Sequence, residues 1–220
     1  ILEPHYEDSY KKCIKESIRC HYNDITNYFL DNYFNNSKNK ILYENIDHIF
    51  MSYNFSFILT ELIDETTFFY ACKYNYYNLV YNILLNDKDF NVNEKFIGSN
   101  SDIKMETTSL FYAVKKEKVD YIVLLLANVT IDVNVLNKCK NKNEYIHSKN
   151  WKKEKTALYC AIELENIEII KLLLLNDKID VNIPYKYFSF CNTTEKTPLY
   201  LSIEKKNNEI IKLLLSNYKI

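Results

Sequence analysis

Apolar residues in this chain recur at helical spacing, in pairs of short segments separated by polar breaks. Tyr10, Cys13, Ile14, Ser17 and Ile18 stand at i, i+3, i+4, i+7 and i+8, which lines one face of a helix. His21-Tyr22-Asn23 interrupts the pattern, and Ile25, Tyr28 and Phe29 begin a second helix ending near Asn32. After a polar loop at Asn35-Asn36-Ser37-Lys38-Asn39, a further pair is expected at about 41–52 and 55–63. Leu42, Ile46, Ile49 and Phe50 carry its first member, and Phe57, Ile58 and Leu62 its second. Residues 1–9 read as a leader or a poorly ordered end.

From residue 66 the pairs become copies of one another. Thr66-Thr67-Phe68-Phe69-Tyr70-Ala71 is echoed by Thr108-Ser109-Leu110-Phe111-Tyr112-Ala113, Thr156-Ala157-Leu158-Tyr159-Cys160-Ala161 and Thr197-Pro198-Leu199-Tyr200-Leu201-Ser202. Second segments follow at Leu79–Leu85, Tyr121–Leu126, Ile169–Leu175 and Ile210–Leu215. Three of them are trailed by Asn91-Val92-Asn93, Asp132-Val133-Asn134 and Asp180-Val181-Asn182. The small residues 71, 113, 161 and 202 lie 42, 48 and 41 apart. Self-similarity at a period of tens of residues is the mark of a stacked array. Each Thr is expected to cap the first helix by accepting from a backbone N–H two or three residues on. Pro198 suits the first helical position, where its missing N–H costs nothing. The small residue lets neighbouring helices approach, and the Leu-rich segment fills the space between copies.

Thr-Pro-Leu-Tyr-x-Ser/Ala, followed by Glu-Ile-Ile-Lys-Leu-Leu-Leu and Asp-Val-Asn, resembles the ankyrin repeat. The resemblance is strong over 66–220, which holds four copies, and weak over 1–63. It implies an all-α solenoid of stacked helix-turn-helix pairs with few strands, forming a single domain over 1–220. Within it, 10–33 and 41–63 would be degenerate N-terminal pairs, 66–93, 108–134 and 156–182 full repeats, and 197–220 a last, incomplete one. Phe69, Phe111, Tyr159 and Tyr200 replace the family's His, so its hydrogen bond to the neighbouring turn is absent or altered. Asn75, Glu117, Glu165 and Lys206 replace the Gly that ends the first helix, which questions the sharpness of that turn. Against a family period of about 33, the copies carry insertions of about 9, 15 and 8, assigned to the fingers between repeats.

Composition changes this picture in two places. Only Gly98 is glycine, and Asn, Lys, Ile and Tyr are used heavily instead; Asn is expected wherever a left-handed residue is required. Six cysteines show no Cys-x-x-Cys spacing, and Cys13, Cys72 and Cys160 fall at or beside core positions of helices, which fits free buried thiols. The 28 basic and 29 acidic residues nearly cancel, so no overall field favours nucleic acid or an anionic membrane. Apolar runs such as Tyr121–Ala127 suit buried helices and fall short of the ~18 residues that span a bilayer. The chain starts at Ile1 and reads as a monomeric fragment of something longer, intracellular and cytoplasmic.

No catalytic constellation is present: one Gly excludes the Gly-rich phosphate cradles, and His5, His21, His48 and His147 are scattered. Cys139 with His147 supplies two metal ligands where a structural zinc site wants four. Asp180-Val181-Asn182 lacks the acidic density of a calcium loop and reads as a turn stitched through its own backbone. Neither catalytic nor metal residues, nor a cofactor, are therefore expected.

What remains is surface. In ankyrin-type arrays partners dock on the concave face built by fingers and first helices, so the resemblance marks Lys73, Tyr74, Lys115, Lys116, Glu163, Leu164, Glu204 and Lys205, with Lys155 and Lys196 just before their Thr caps. This mixed strip suits a protein partner, although it is also what a solvated face looks like. The longest finger, 135–155, carries Lys138, Lys140, Lys142, Lys149, Lys152, Lys153 and Lys155 beside Tyr145 and the only Trp, Trp151. Cations interleaved with aromatics bind phosphate backbones and stack bases. Trp151 can be an interface anchor, but a lone loop Trp is more often a residue packing its own long loop against the solenoid. The finger at 183–196 is aromatic enough, at Tyr185, Tyr187, Phe188 and Phe190, to need burial or a partner. Non-enzymatic protein recognition is the leading expectation, with nucleic acid disfavoured. Polyanion binding through finger 135–155, or regulation of an enzyme elsewhere in a longer chain, are the alternatives.

Overall fold

The computed structural model describes residues 4–52, 64–99, 103–141, 151–189 and 192–217. The helix expected at 55–63, the tip of the longest finger with His147, Tyr145, Lys142 and Lys149, and Phe190 with Cys191 lie outside them. The chain divides into two compact units, Ile1–Val80 and Tyr81–Ile220.

The first unit holds α1 (Pro4–Arg19), α2 (Asn23–Tyr33), a 3-10 turn (Asn35–Ser37), α3 (Lys38–Glu44), α4 (Ile46–Met51) and α5 (Glu65–Lys73). α6 (Tyr77–Asn86) begins in it. α1 buries Ile14, Ser17 and Ile18, and Ser17 shares a 2.7 Å hydrogen bond with Thr26 of α2. Cys13, expected at the core, is exposed instead, because the buried stripe runs along the other side of Ile14. The single helix anticipated over 41–52 is two. Buried Asn45 donates its Nδ2 to the Ile41 carbonyl at 2.8 Å, and a side chain competing for that carbonyl favours a break. α5 likewise starts ahead of Thr66, because Asp64 rather than Thr66 caps it by accepting from the Thr67 N–H.

The second unit stacks the pairs α7 (Ser109–Lys115) with α8 (Val119–Leu126), α9 (Ala157–Glu163) with α10 (Ile167–Leu174), and α11 (Pro198–Glu204) with α12 (Asn208–Leu215). Thr108, Thr156 and Thr197 cap their helices as expected, each Oγ1 accepting at 3.2 Å from Phe111, Tyr159 and Tyr200 respectively. Like helices meet like, α7 against α9 against α11 and α8 against α10 against α12. Leu158, Ile162, Ile170, Leu173, Ile210 and Leu214 are fully buried.

The turn within each pair stays sharp without glycine. Asn75, Glu117, Glu165 and Lys206 take φ of 69°, 54°, 56° and 57°. The next N–H in each case donates back to the carbonyl of the small residue, as from Lys118 to Ala113 at 2.9 Å and from Asn166 to Ala161 at 3.2 Å. That is the helix-ending motif which normally takes Gly. Asn therefore substitutes at only one of the four positions, and two carboxylates gain a use from the substitution. Asn166, whose Oδ1 caps α10, donates its Nδ2 to Glu117 of the preceding repeat at 2.8 Å. Asn207 caps α12 and donates to Glu165 at 3.2 Å. A second stitch joins the Asp-Val-Asn turns: Asn134 receives the Asp180 N–H and donates to the Lys178 carbonyl, and Asn93 does the same with Asp132 and Thr130.

The fingers are not loops, and the chain is not all-α. They form β1 (Phe96–Ser99), β2 (Ile103–Thr107), β3 (Asn137–Asn141), β4 (Trp151–Lys155), β5 (Tyr185–Ser189) and β6 (Thr193–Lys196), one antiparallel sheet in sequence order. Pairing β2 to β3 and β4 to β5 joins each hairpin to the next. One face turns towards the first helices. On the other, the register sets Glu106, Lys138, Glu154, Lys186 and Glu195 side by side, so charge alternates across five strands. Lys186 reaches Glu195 at 3.3 Å, and the buried Glu154 also pairs with Lys152 at 2.6 Å. Opposite charges directly across strands stabilise a sheet by roughly 0.2–1 kcal/mol per pair.

Leu173→Ala is expected to cost about 2–5 kcal/mol in urea denaturation, since the methyl groups leave a cavity between two repeats. Lys206→Gly is expected to raise the urea midpoint, by relief of roughly 1 kcal/mol of left-handed backbone strain.

Candidate functional site

On the helix-facing side of the sheet, one row reads Met105, Cys139, Lys153, Tyr187 and Thr194 across β2 to β6. The neighbouring row includes Asn137, Lys155, Tyr185 and Lys196. The second row meets the first helices. Lys155 ion-pairs with Glu163 and lies 5.8 Å from the Phe111 ring centroid. Tyr185 stacks on Tyr159 with centroids 5.1 Å apart and planes 19° apart. Lys196 reaches both Glu204 oxygens at 2.8 Å and sits 5.3 Å from the Tyr200 ring. Identical offsets in successive repeats thus build the same Lys–Glu clasp twice, eight residues apart along each chain segment.

Burial pushes the Tyr159 hydroxyl well above its ordinary range, and the Glu163 and Tyr185 charges add to the effect. Tyr185 is raised for the same leading reason, burial, with Glu163 second. Both rings therefore stay neutral and serve as packing surfaces with a hydroxyl tip. Burial also raises the Cys139 thiol, against the pull of Lys115, Lys153 and Lys155, which weighs against a nucleophilic thiolate.

Of the residues marked from sequence, the structure brings Lys155, Glu163, Tyr185, Lys196 and Glu204 together on this face. Trp151 opens β4, half-buried, with Lys153 Nζ 5.2 Å from its ring and 5.8 Å from that of Tyr187. Lys115, Lys116 and Leu164 are exposed at the ends of α7 and α9. Lys205 is drawn aside to Glu165 at 2.9 Å, and that hydrogen bond holds the Glu165 carboxyl below its usual range. Two open apolar grooves lie elsewhere in the second unit, one between Leu174, Leu175 and Leu213 and one between Leu84, Leu85 and Leu124.

Lys73 and Tyr74 are committed within the first unit. Asp47 of α4 accepts from Lys73 Nζ at 2.8 Å, from the Tyr74 hydroxyl, and from the Tyr70 hydroxyl at 3.3 Å. Lys73 Nζ lies 4.8 Å from both Tyr ring centroids, and Phe50 stacks on both rings at 6.0 Å. Burial would raise the Asp47 carboxyl, but the hydrogen bonds from Lys73 and Tyr74 and the Lys73 charge hold it below its ordinary 3.8. Burial, reinforced by Asp47, pushes Tyr70 up to about 12. Sequence reasoning missed Asp47 because it stands in a helix with no repeat partner to flag it.

The family model for ankyrin repeats in three copies matches residues 68–185 and 136–220, the stretch that contains these turns, clasps and fingers. The chain belongs to the ankyrin-repeat family. Ankyrin repeats are protein–protein interaction modules. No curated protein matches the chain. Among the described residues, no helix is long and apolar enough to cross a membrane, and no cluster of three or more His, Cys, Asp or Glu is placed to hold a metal.

Because the folded Asp47 carboxyl lies below its unfolded value, its contribution to stability is present above about pH 4 and is lost as pH falls through the lowered folded value. Asp47→Asn is expected to lower the melting temperature at pH 7, with the gap to wild type closing as pH is taken towards 2; thermal melts at a series of pH values check it.

Proposed function

We propose that this ankyrin array is a non-enzymatic scaffold that binds a protein partner through its inner face, with the finger sheet as one wall and the first helices as floor. The observation that supports this most is that the wall is a continuous sheet whose side chains are already held, at Lys155–Glu163, Tyr159–Tyr185 and Lys196–Glu204. Groups fixed before binding lose little entropy on binding. Lys115 and Lys116 stand exposed beside this ordered surface and are the cations with which a partner carboxylate would pair.

The charge distribution favours a protein over a polyanion. Three of the lysines that read in sequence as a basic finger stand against acids once the strands pair: Lys138 against Glu106 and Glu154, Lys152 against Glu154, Lys155 against Glu163. Counterion release from a nucleic acid requires cations not already neutralised by neighbours.

Affinity capture with the 220-residue protein is expected to enrich a protein partner. Lys115→Glu with Lys116→Glu is expected to reduce that capture at least tenfold while the melting temperature stays put. Unchanged capture refutes the inner-face assignment, and tight binding to random oligonucleotides at low salt turns the reading towards polyanions.

A further inference from the structure

The outer face of the finger sheet carries a second row beside the alternating one. The register sets Lys104, Lys140, Lys152, Phe188 and Thr193 side by side from β2 to β6. Three half-buried lysines thus stand directly opposite one another on adjacent strands, with no acid in their row. Like charges so placed destabilise a sheet. Two residues away the same strands avoid this, since Glu106, Lys138, Glu154, Lys186 and Glu195 alternate in sign.

The carboxylates of that neighbouring row are already engaged. Lys138 lies 4.0 Å from Glu106, and Lys186 lies 3.3 Å from Glu195. Glu154 is buried, faces Lys138 and Lys186 across the strands, and also takes Lys152 at 2.6 Å. Together the two rows hold five lysines, at 104, 138, 140, 152 and 186, against three glutamates, at 106, 154 and 195. The excess of positive charge therefore sits in the lysine row. That row runs on to an apolar group, with Lys152 Nζ 5.5 Å from the Phe188 ring centroid.

We propose that the lysine row binds an acidic segment of a partner protein, laid across the strands on the outer face of the fingers. Neighbouring strands lie about 4.8 Å apart, so the row spans about 14 Å from Lys104 to Phe188. Alternate residues of an extended chain point the same way about 6.7 Å apart, and the first and fifth lie about 13 Å apart. A segment reading Glu-x-Glu-x-Leu accordingly sets two carboxylates among the three lysines and its Leu against Phe188. Each carboxylate placed between two lysines replaces their repulsion with attraction to a shared charge. A nucleic acid is a poorer occupant. Its evenly spaced phosphates would meet Phe188 where a cation is needed, and would lie beside Glu106 and Glu195. This surface is on the opposite side of the sheet from the inner wall, so it stands independently of the inner-face reading.

The probe is a fluorescein-labelled peptide, Glu-Ser-Glu-Ser-Leu, followed by fluorescence anisotropy at low ionic strength. Wild-type protein is expected to bind it saturably, and the bound peptide to protect Lys104 and Lys140 from an amine-acetylating reagent. Lys104→Glu with Lys140→Glu is expected to weaken binding at least tenfold, and a Lys-Ser-Lys-Ser-Leu peptide to bind that variant instead. Lys104→Gln with Lys140→Gln gives an intermediate loss if the charge-reversed protein is unstable. Equal binding of a Gln-Ser-Gln-Ser-Leu peptide overturns the proposal, as does no binding, or binding indifferent to both variants. A short single-stranded oligonucleotide that binds more tightly than the peptide, and is lost in the same variants, overturns it in favour of a nucleic acid. Lys115→Glu with Lys116→Glu is expected to leave peptide binding unchanged; loss there moves the peptide to the inner face and overturns this site. Failure of the peptide alongside lost partner capture in the Lys115/Lys116 variant removes this site and leaves the inner-face reading standing.

Discussion

A helix pair of this kind is apolar on two sides and therefore gains its stability only when a neighbour lies against it. Everything else in the second unit follows from how closely the pairs approach. Ala113, Ala161 and Ser202 sit fully buried where a larger side chain would hold successive first helices apart. Their carbonyls accept the N–H that closes the left-handed turn, so one small residue sets both the spacing between repeats and the angle within them. Stacking of short helices then does the work that length cannot, since seven- and eight-residue helices are marginal alone.

Substituting Glu for the expected Gly at two turns shows how such an array absorbs an unfavourable backbone. The left-handed residue costs roughly 1–2 kcal/mol against Gly. At Glu117 and Glu165 the side chain returns part of it by accepting from the Asn that caps the next repeat's second helix. The stitch runs between repeats, and so it adds to the nearest-neighbour coupling on which a solenoid's stability depends. The Asp-Val-Asn turns couple the same neighbours at the other end of the helices.

Charge is organised by the sheet in a way that bears on recognition. Glu–Lys alternation across β2 to β6 sets Lys138 and Lys186 between acids, and the clasps to Glu163 and Glu204 hold the inward-facing Lys155 and Lys196, while Lys104, Lys140 and Lys152 stand side by side in the adjoining row. The inner face thus presents ordered rings and paired ions with a few free cations at its rim. Such a surface discriminates by shape and by where its unpaired groups stand, more than by overall charge.

Residue types alone settled the repeat, its helix pairs from 108 onward, the Thr caps and the place of each small residue. These are local properties: a cap, a periodic stripe and a turn are read within one segment. The N-terminal breaks were less legible, because Asn45 and Asp64 act through single side-chain hydrogen bonds that no apolar period foreshadows. Trp-Lys-Lys-Glu-Lys at 151–155 has no alternation of apolar and polar residues, and its strand exists only because β3 and β5 lie beside it. For the same reason the candidate strip was found as a set of names and not as a surface. Which lysines are clasped, that Lys73 and Tyr74 are committed to Asp47, and that charge alternates across the fingers depend on register between strands and repeats. Register is a relation between segments dozens of residues apart, and only the tertiary structure decides it.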